Sequence, residues 1–285
     1  MREIAAGKLS TEQIQADVRR LRPLAGNVVR IIKILEEDAG AKTISDMISL
    51  DQVLSAQVLE MANSALLGYG PTCTSIHEAV MRLGFDRVRT LVLAAAASGP
   101  LKRRMTGYRL AAGELWHHSV SSAAAANVVA KVVAYPDPEE AYVVGLLHDI
   151  GKVVLDQYIR VDYTRIMSSV RINRIPIWQA EEAIFGFCHA TVGGMAAARW
   201  SFPQDLVDAI QFHHAPSLAH KRQDLAAIAN IANALTPAYG SLGEIEPRMP
   251  HPEALRILGL LEGGLERIQQ EIARVIHQTE LKGNR

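Results

Sequence analysis

This sequence is short of nearly everything that would mark it for export, membranes or nucleic acid. Only two cysteines, Cys73 and Cys188, occur in 285 residues, and neither has a CxxC neighbour. That excludes a disulfide framework or a cysteine-rich zinc finger and favours a reduced, cytoplasmic setting. No apolar run approaches the ~20 residues of a spanning helix, and Met1 to Ile14 is too polar for a signal peptide. Net charge is also missing. Thirty basic and thirty acidic side chains cancel, and no basic arm hides in the first hundred residues, so neither nucleic acid nor an anionic membrane is an expected partner. Aromatics are scarce, at 5% against 49% apolar residues overall. A core of Ala, Leu, Ile and Val without rings favours packed helices over a sandwich or barrel.

The patterning agrees. Apolar residues recur at helical spacing and two-residue alternation is nearly absent. Val28 to Leu35 makes a broad apolar face closed at Glu36-Glu37-Asp38. Val53, Leu54, Ala56, Leu59 and Ala62 make another, opened by Asp51 as N-cap. Ser75 and Glu78 have capping-box spacing, and Gly84 ends that helix. Asp137-Pro138-Glu139-Glu140 combines an N-cap acid, a first-turn proline and acids at the positive end of the helix dipole. Ser201-Phe202-Pro203 opens a later helix in similar style. The Val-rich stretch 127–134 reads as the end of a helix that begins near Leu110, with a strand as the alternative. Gly99-Pro100 through Gly107 forms a connector whose Lys102, Arg103 and Arg104 are expected to be solvated, and Pro237 to Pro252 forms a second. Amphipathic helices follow from Glu253. No internal repeat or low-complexity tract is present.

Between the two connectors lie His117, His118, His148, His189, His213 and His214. One buried histidine is commonly a satisfied core residue. Six in this stretch, with Asp149 directly after His148, point to a metal site, because neutral imidazoles and a carboxylate suit manganese, iron or zinc. His148 and Asp149 interrupt the apolar run from Val143 to Ile150, and burying them without partners would be costly. Lys152 falls three residues after Asp149, on the same helical face, where its ammonium would pair with Asp149 or meet an anionic substrate. His213-His214 closes the helix begun at Pro203. Adjacent helical residues point about 100° apart, so both reach one site only if ions are paired or the helix end frays. Phosphate loops, GxSxG elbows and Cys/His nucleophile pairs are absent. Gly193-Gly194 is expected to be a close helix contact, and Trp116, Trp178 and Trp200 to be packing residues.

With these residues in place, the chain resembles the HDOD branch of the HD metal-dependent phosphohydrolases, over roughly Leu21 to Leu235. Leu21-Arg22-Pro23-Leu24 is similar to that family's opening "LPPLP", Leu59 to Ala65 to "LLRLANSA", and Ser75 to Val80 to "SIxEAI". Leu115-Trp116-His117-His118-Ser119 resembles "LWxHS", which selects His118 over His117. Gly186-Phe187-Cys188-His189 resembles "GFDH", with Cys188 replacing the Asp. The resemblance implies one ion held by His118, His148 and Asp149, and Asp149 bridging to a second held by His189, His213 and His214. It implies catalytic roles for Asp149 and Lys152. The superfamily's last ligand, an Asp, is matched here by Asn233, an uncharged amide that would hold the first ion more weakly. The GYP tripeptide of the cyclic di-nucleotide phosphodiesterases is absent, so cyclic di-GMP hydrolysis is not expected.

The expectation is therefore an all-α chain: an N-terminal helical part (1–104) packed on an HD-type helical core (105–236), then a C-terminal linker and helices (237–285). Its cofactor would be one or two divalent transition-metal ions, iron or manganese favoured, zinc or nickel as alternatives. Its function would be that of a bacterial-type regulatory and signalling protein retaining a His/Asp metal site. An active phosphohydrolase, with metal-bound hydroxide attacking phosphorus, is the alternative. A signalling protein or a phosphorylated small ligand is the expected partner.

Overall fold

The computed structural model describes residues 8–20, 28, 30–31, 34–35, 39–63, 72–200, 202–237, 249–260 and 262–283. The Leu21–Leu24 motif, Ser64, Ala65, the Glu36–Asp38 helix stop, Ser201 and most of the second connector lie outside the described residues. The fold is all-α. Among the described residues no strand forms, and the one isolated bridge joins Met105 to Leu110. No described helix is long and apolar enough to cross a membrane.

On the N-terminal side stand α1 (Thr11–Arg20), α2 (Ala41–Ser49), α3 (Gln52–Ala62), α4 (Ile76–Leu83) and α5 (Phe85–Leu101). Asp51 caps α3 through Oδ1, which accepts from the Val53 and Leu54 amides. The buried stripe of α3 is Leu54, Val58 and Ala62, while Val53 is 68% exposed. Of the expected face, Leu54 and Ala62 are buried and Leu59 packs partly buried against the core, whereas Val53 and Ala56 face outward. The Ser75 hydroxyl accepts from the Glu78 amide at 3.1 Å, but the Glu78 carboxylate returns to the Thr74 amide, one residue before the expected partner. Gly84, with φ of 76°, ends α4. Asn63 closes the following segment with both ends of its amide, donating to the Cys73 carbonyl and accepting from the Cys73 N–H. Helix α5 runs through Gly99-Pro100 to Leu101, so the connector begins at Lys102.

The second half holds α6 (Glu114–Val132), α7 (Pro138–Leu147), α8 (Lys152–Asn173), α9 (Ile177–Phe185), α10 (His189–Arg199), α11 (Gln204–Gln211), a 3-10 turn (Pro216–Leu218) and α12 (Gln223–Leu235). Then come α13 (Pro252–Ile257) and α14 (Glu262–Gly283). Helix α6 starts four residues later than expected, because Leu110 is bonded to Met105. Asp137 caps α7 through the Glu139 and Glu140 amides, with Pro138 at its first position. Helix α6 packs against α7, α12 and α14. The α6–α7 crossing is close enough that a Cβ on Gly145 would lie 2.6 Å from the Ser122 carbonyl oxygen. Gly194 likewise meets Gln211 of α11, which makes Gly193-Gly194 the helix contact expected. The two halves share one continuous apolar core. Polar ties cross it as well: the Leu9 amide donates to the Phe185 carbonyl, and Arg87 pairs with Glu139 at 3.2 Å.

Candidate metal centre

The histidines converge because three helix junctions meet. The first is the break between α7 and α8. His148 and Asp149 do not sit inside one helix, as the apolar run suggested. Helix α7 ends at Leu147, residues 148–151 form a tight turn, and α8 starts at Lys152. Gly151 lets the turn sit close: a Cβ there would lie 2.0 Å from the His189 carbonyl oxygen, so the turn is pressed against α10. The second junction is the start of α10, where His189 is the first residue. The third is the end of α11, where His213 and His214 follow the last helical residue, Gln211, and so escape the 100° separation. Asn230 on α12 holds that turn by donating to the His213 carbonyl at 2.8 Å, while its own carbonyl accepts from the His251 amide.

Two groups of potential ligands result. His118, His148 and Asp149 form one, and His189, His213 and His214 the other; within each, one donor atom per residue lies within 4.8 Å of the others. Asp149 joins them. Its Oδ2 faces His148 Nε2 at 3.4 Å, His118 Nε2 at 3.6 Å and Lys152 Nζ at 2.8 Å, while its Oδ1 faces His189 Nε2 at 3.1 Å. His117, by contrast, is exposed. Asn233 also arrives, its Oδ1 lying 3.1 Å from His118 Nε2. The expected site residues therefore all come together, and Lys152 meets Asp149 as its spacing suggested.

The donor chemistry fits divalent cations. His148 and His213 turn their Nδ1 atoms toward the carbonyls of Gly145 and Ile210, at 2.7 and 2.8 Å. That leaves their Nε2 atoms buried without hydrogen-bond partners, an arrangement that would be costly unless a ligand is bound there. Burial, reinforced by neighbouring imidazoles, holds His213 and His214 well below the ordinary histidine range, and burial likewise lowers His148. Neutral rings are the ones that bind metal. For Asp149, desolvation favours the neutral acid, yet His148, Lys152 and His189 outweigh it and hold the carboxyl well below its ordinary range. Burial also opposes charge on His189, but Glu181 reverses this and takes the ring up to about 9, so a cation binding at its Nε2 would have to displace a proton.

Several contributors carry no sequence signal. Glu181, fully buried on α9, accepts from both the His189 amide and ring, at 2.8 and 2.7 Å. Its other oxygen accepts from the Tyr108 hydroxyl at 2.8 Å. A carboxylate behind a ligating imidazole fixes its tautomer and raises its basicity. Trp178 stacks on His214 at 5.2 Å between ring centres, so it belongs to the site rather than to general packing. Cys188, at the missing Asp of the motif, makes a 3.6 Å contact with the Thr191 hydroxyl, and burial pushes its thiol up.

Known proteins resemble this chain in sequence and, where solved, in fold. An uncharacterised protein of Treponema pallidum is 26% identical over 193 residues, which are 67% of this chain but 37% of that protein. The chain thus spans a little over a third of that relative. A Geobacter sulfurreducens HDOD domain protein of unknown function has a crystal structure that matches at 26% identity and a TM-score of 0.66, covering 96% of both chains. A Shewanella amazonensis protein, provisionally named a phosphohydrolase, matches at 25% identity and a TM-score of 0.67, covering 94% of this chain and 97% of its own. The HDOD domain family model matches residues 21–216, and the chain belongs to that family.

Proposed function

We propose that this protein is an HDOD regulatory module built around a two-ion His/Asp centre. The observation that carries this reading is the division of Asp149: one oxygen faces each ligand group, with His148 Nε2 and His213 Nε2 buried beside it and lacking hydrogen bonds. His189, His213 and His214 would hold one ion, and His118, His148 and Asp149 the other. Iron or manganese suits a set of imidazoles with one carboxylate. Two buried free cysteines are compatible with a reducing cytoplasm.

A regulatory role is favoured over catalysis by Asn233. The Asn233 amide oxygen lies 3.1 Å from His118 Nε2 and could join it in holding a cation, but it adds no charge where a carboxylate would. The first group should bind its ion more weakly than the second. The alternative, a phosphohydrolase, draws on Lys152 beside Asp149 and on likeness to the Shewanella protein provisionally named a phosphohydrolase. A bound divalent ion would supply Lewis acidity there. The chain's own part would be for Lys152 to hold substrate oxygens and for Glu181 to keep the His189 ring oriented. Elemental analysis of protein purified without chelator, followed by a phosphoester panel with Mn²⁺ or Fe²⁺, decides between them. The module reading expects bound transition metal, lowered by His213→Ala, with negligible turnover. Robust hydrolysis abolished by His148→Ala would establish the enzyme instead, and a chain that takes up none of these metals would remove both readings.

A further inference from the structure

The cationic connector is exposed at Lys102, Arg103 and Arg104, as expected, and its two arginines also line a cavity of about 340 Å³ between α1, residues 103–105 and the first turns of α8. That is near the lower end of ligand-sized pockets. Arg20, Arg103 and Arg104 all line it. Arg20 is paired to Asp17 at 2.8 Å; Arg103 and Arg104 form no ion pair among the described residues.

The two carboxylates in the wall are already committed. Asp17 accepts from Arg20, from the Gln157 amide at 2.9 Å and from the Tyr158 hydroxyl. Asp156 accepts from the Gly107 and Tyr108 amides at 2.7 and 3.1 Å. Three guanidinium groups against two hydrogen-bonded carboxylates leave the cavity cationic in a chain whose overall charge is zero. Met105, Val153 and Val154 supply an apolar side. Guanidinium forks beside an apolar wall suit a ligand with a phosphate at one end and a flat or apolar body at the other.

We propose that this cavity is a binding site for a small phosphate ester of nucleotide size, separate from the histidine centre. It gives the phosphorylated ligand expected of this chain a place of its own, and it stands whether or not the histidine centre binds metal. The site is held in shape from below. A Cβ on Gly107 would lie 1.9 Å from the Asp156 carbonyl oxygen, so the connector is seated directly on α8. The same connector carries Tyr108, whose hydroxyl reaches Glu181 behind His189, so cavity and centre share a support.

The test is isothermal titration of the full chain with AMP, with adenosine as the uncharged control. AMP should bind, adenosine should bind far more weakly, and affinity should fall as salt rises. Arg103→Gln and Arg104→Gln remove exposed side chains, so both variants should fold, which circular dichroism checks. Each should weaken AMP roughly tenfold through loss of one charge-assisted pair. His213→Ala should leave AMP binding intact. No AMP binding by the wild-type chain would overturn the proposal. So would full binding by the Arg103/Arg104 double variant, or equal affinity for adenosine. Loss of binding in His213→Ala alone would place the phosphate at the histidine centre and overturn it as well.

Discussion

Before residue 102 and after it, the chain uses the same helices to cover very different interiors. Among the described residues of the first part, only Ser45 and Ser98 are buried polar groups. The second part buries four histidines together with Asp149, Lys152, Glu181, Asp162, Asp208 and Glu139. An apolar face asks only to be covered, and its energy scales with area. A buried charge instead needs a partner at a defined distance, and losing that partner costs several kcal/mol. The contrast places the candidate site in the second part.

The sharpest way to test this contrast is Asp149→Ala. It strands Lys152, whose ammonium lies 2.8 Å from the lost oxygen in a buried site, and should cost about 3–5 kcal/mol in urea unfolding. Adding Lys152→Met should recover most of that loss. If Asp149→Ala costs no more than Ser98→Ala in the first part, the distinction between the interiors fails.

Calorimetry probes whether the two parts are energetically separate. They share one apolar core and the Arg87–Glu139 tie, so the chain should melt in one transition. Mn²⁺ at a hundredfold excess over its Kd should raise the whole transition by the equivalent of about 2.7 kcal/mol. Two transitions, with only the later one moved by metal, would show that the first part folds independently.

A smaller effect is expected at Tyr108. Tyr108→Phe removes the donor to Glu181 and should cost about 1 kcal/mol. It should also weaken metal binding about tenfold, because the carboxylate orienting His189 loses its anchor. Competition with a metallochromic indicator measures this, and Ser98→Ala should leave metal affinity unchanged.

The smallest effect concerns Glu140, away from the centre. Burial, then Asp137, Asp205 and Asp224, push its carboxyl up to about 7, against the opposing pull of Arg222 at 3.2 Å. Between the ordinary glutamate value and 7 the folded chain therefore holds more proton than the unfolded one, and this group's contribution to stability declines as pH rises through that window. Glu140→Gln should flatten that slope and stabilise the chain by about 0.5–1 kcal/mol above pH 7, the shift being discounted for solvent screening. Thermal melts across pH show whether the slope disappears.

Much of this protein was legible because its information is local. Helical spacing and few aromatics announce an all-α fold, and the caps at Asp51 and Asp137 follow from side-chain oxygens near free amides. Six histidines and an aspartate between the two connectors pointed to a candidate metal site, and the motif around them selected His118 over its neighbour. Glu181, Tyr108, Asn230 and Trp178 were not legible. Each acts on a residue elsewhere in the chain, as Tyr108 does on Glu181 across 73 positions, and nothing in its own neighbourhood records that. The α7–α8 break was hidden for a related reason. The run Val143 to Ile150 satisfies a continuous helix on its own terms, and the turn at 148–151, with Gly151 seated against α10, appears only in the folded chain. Sequence pattern determined which segments are helices and which residue types could bind metal. The tertiary structure decided where Asp149 directs its two oxygens, because that depends on how closely separate helices approach, and a helix's own period carries no record of its neighbours.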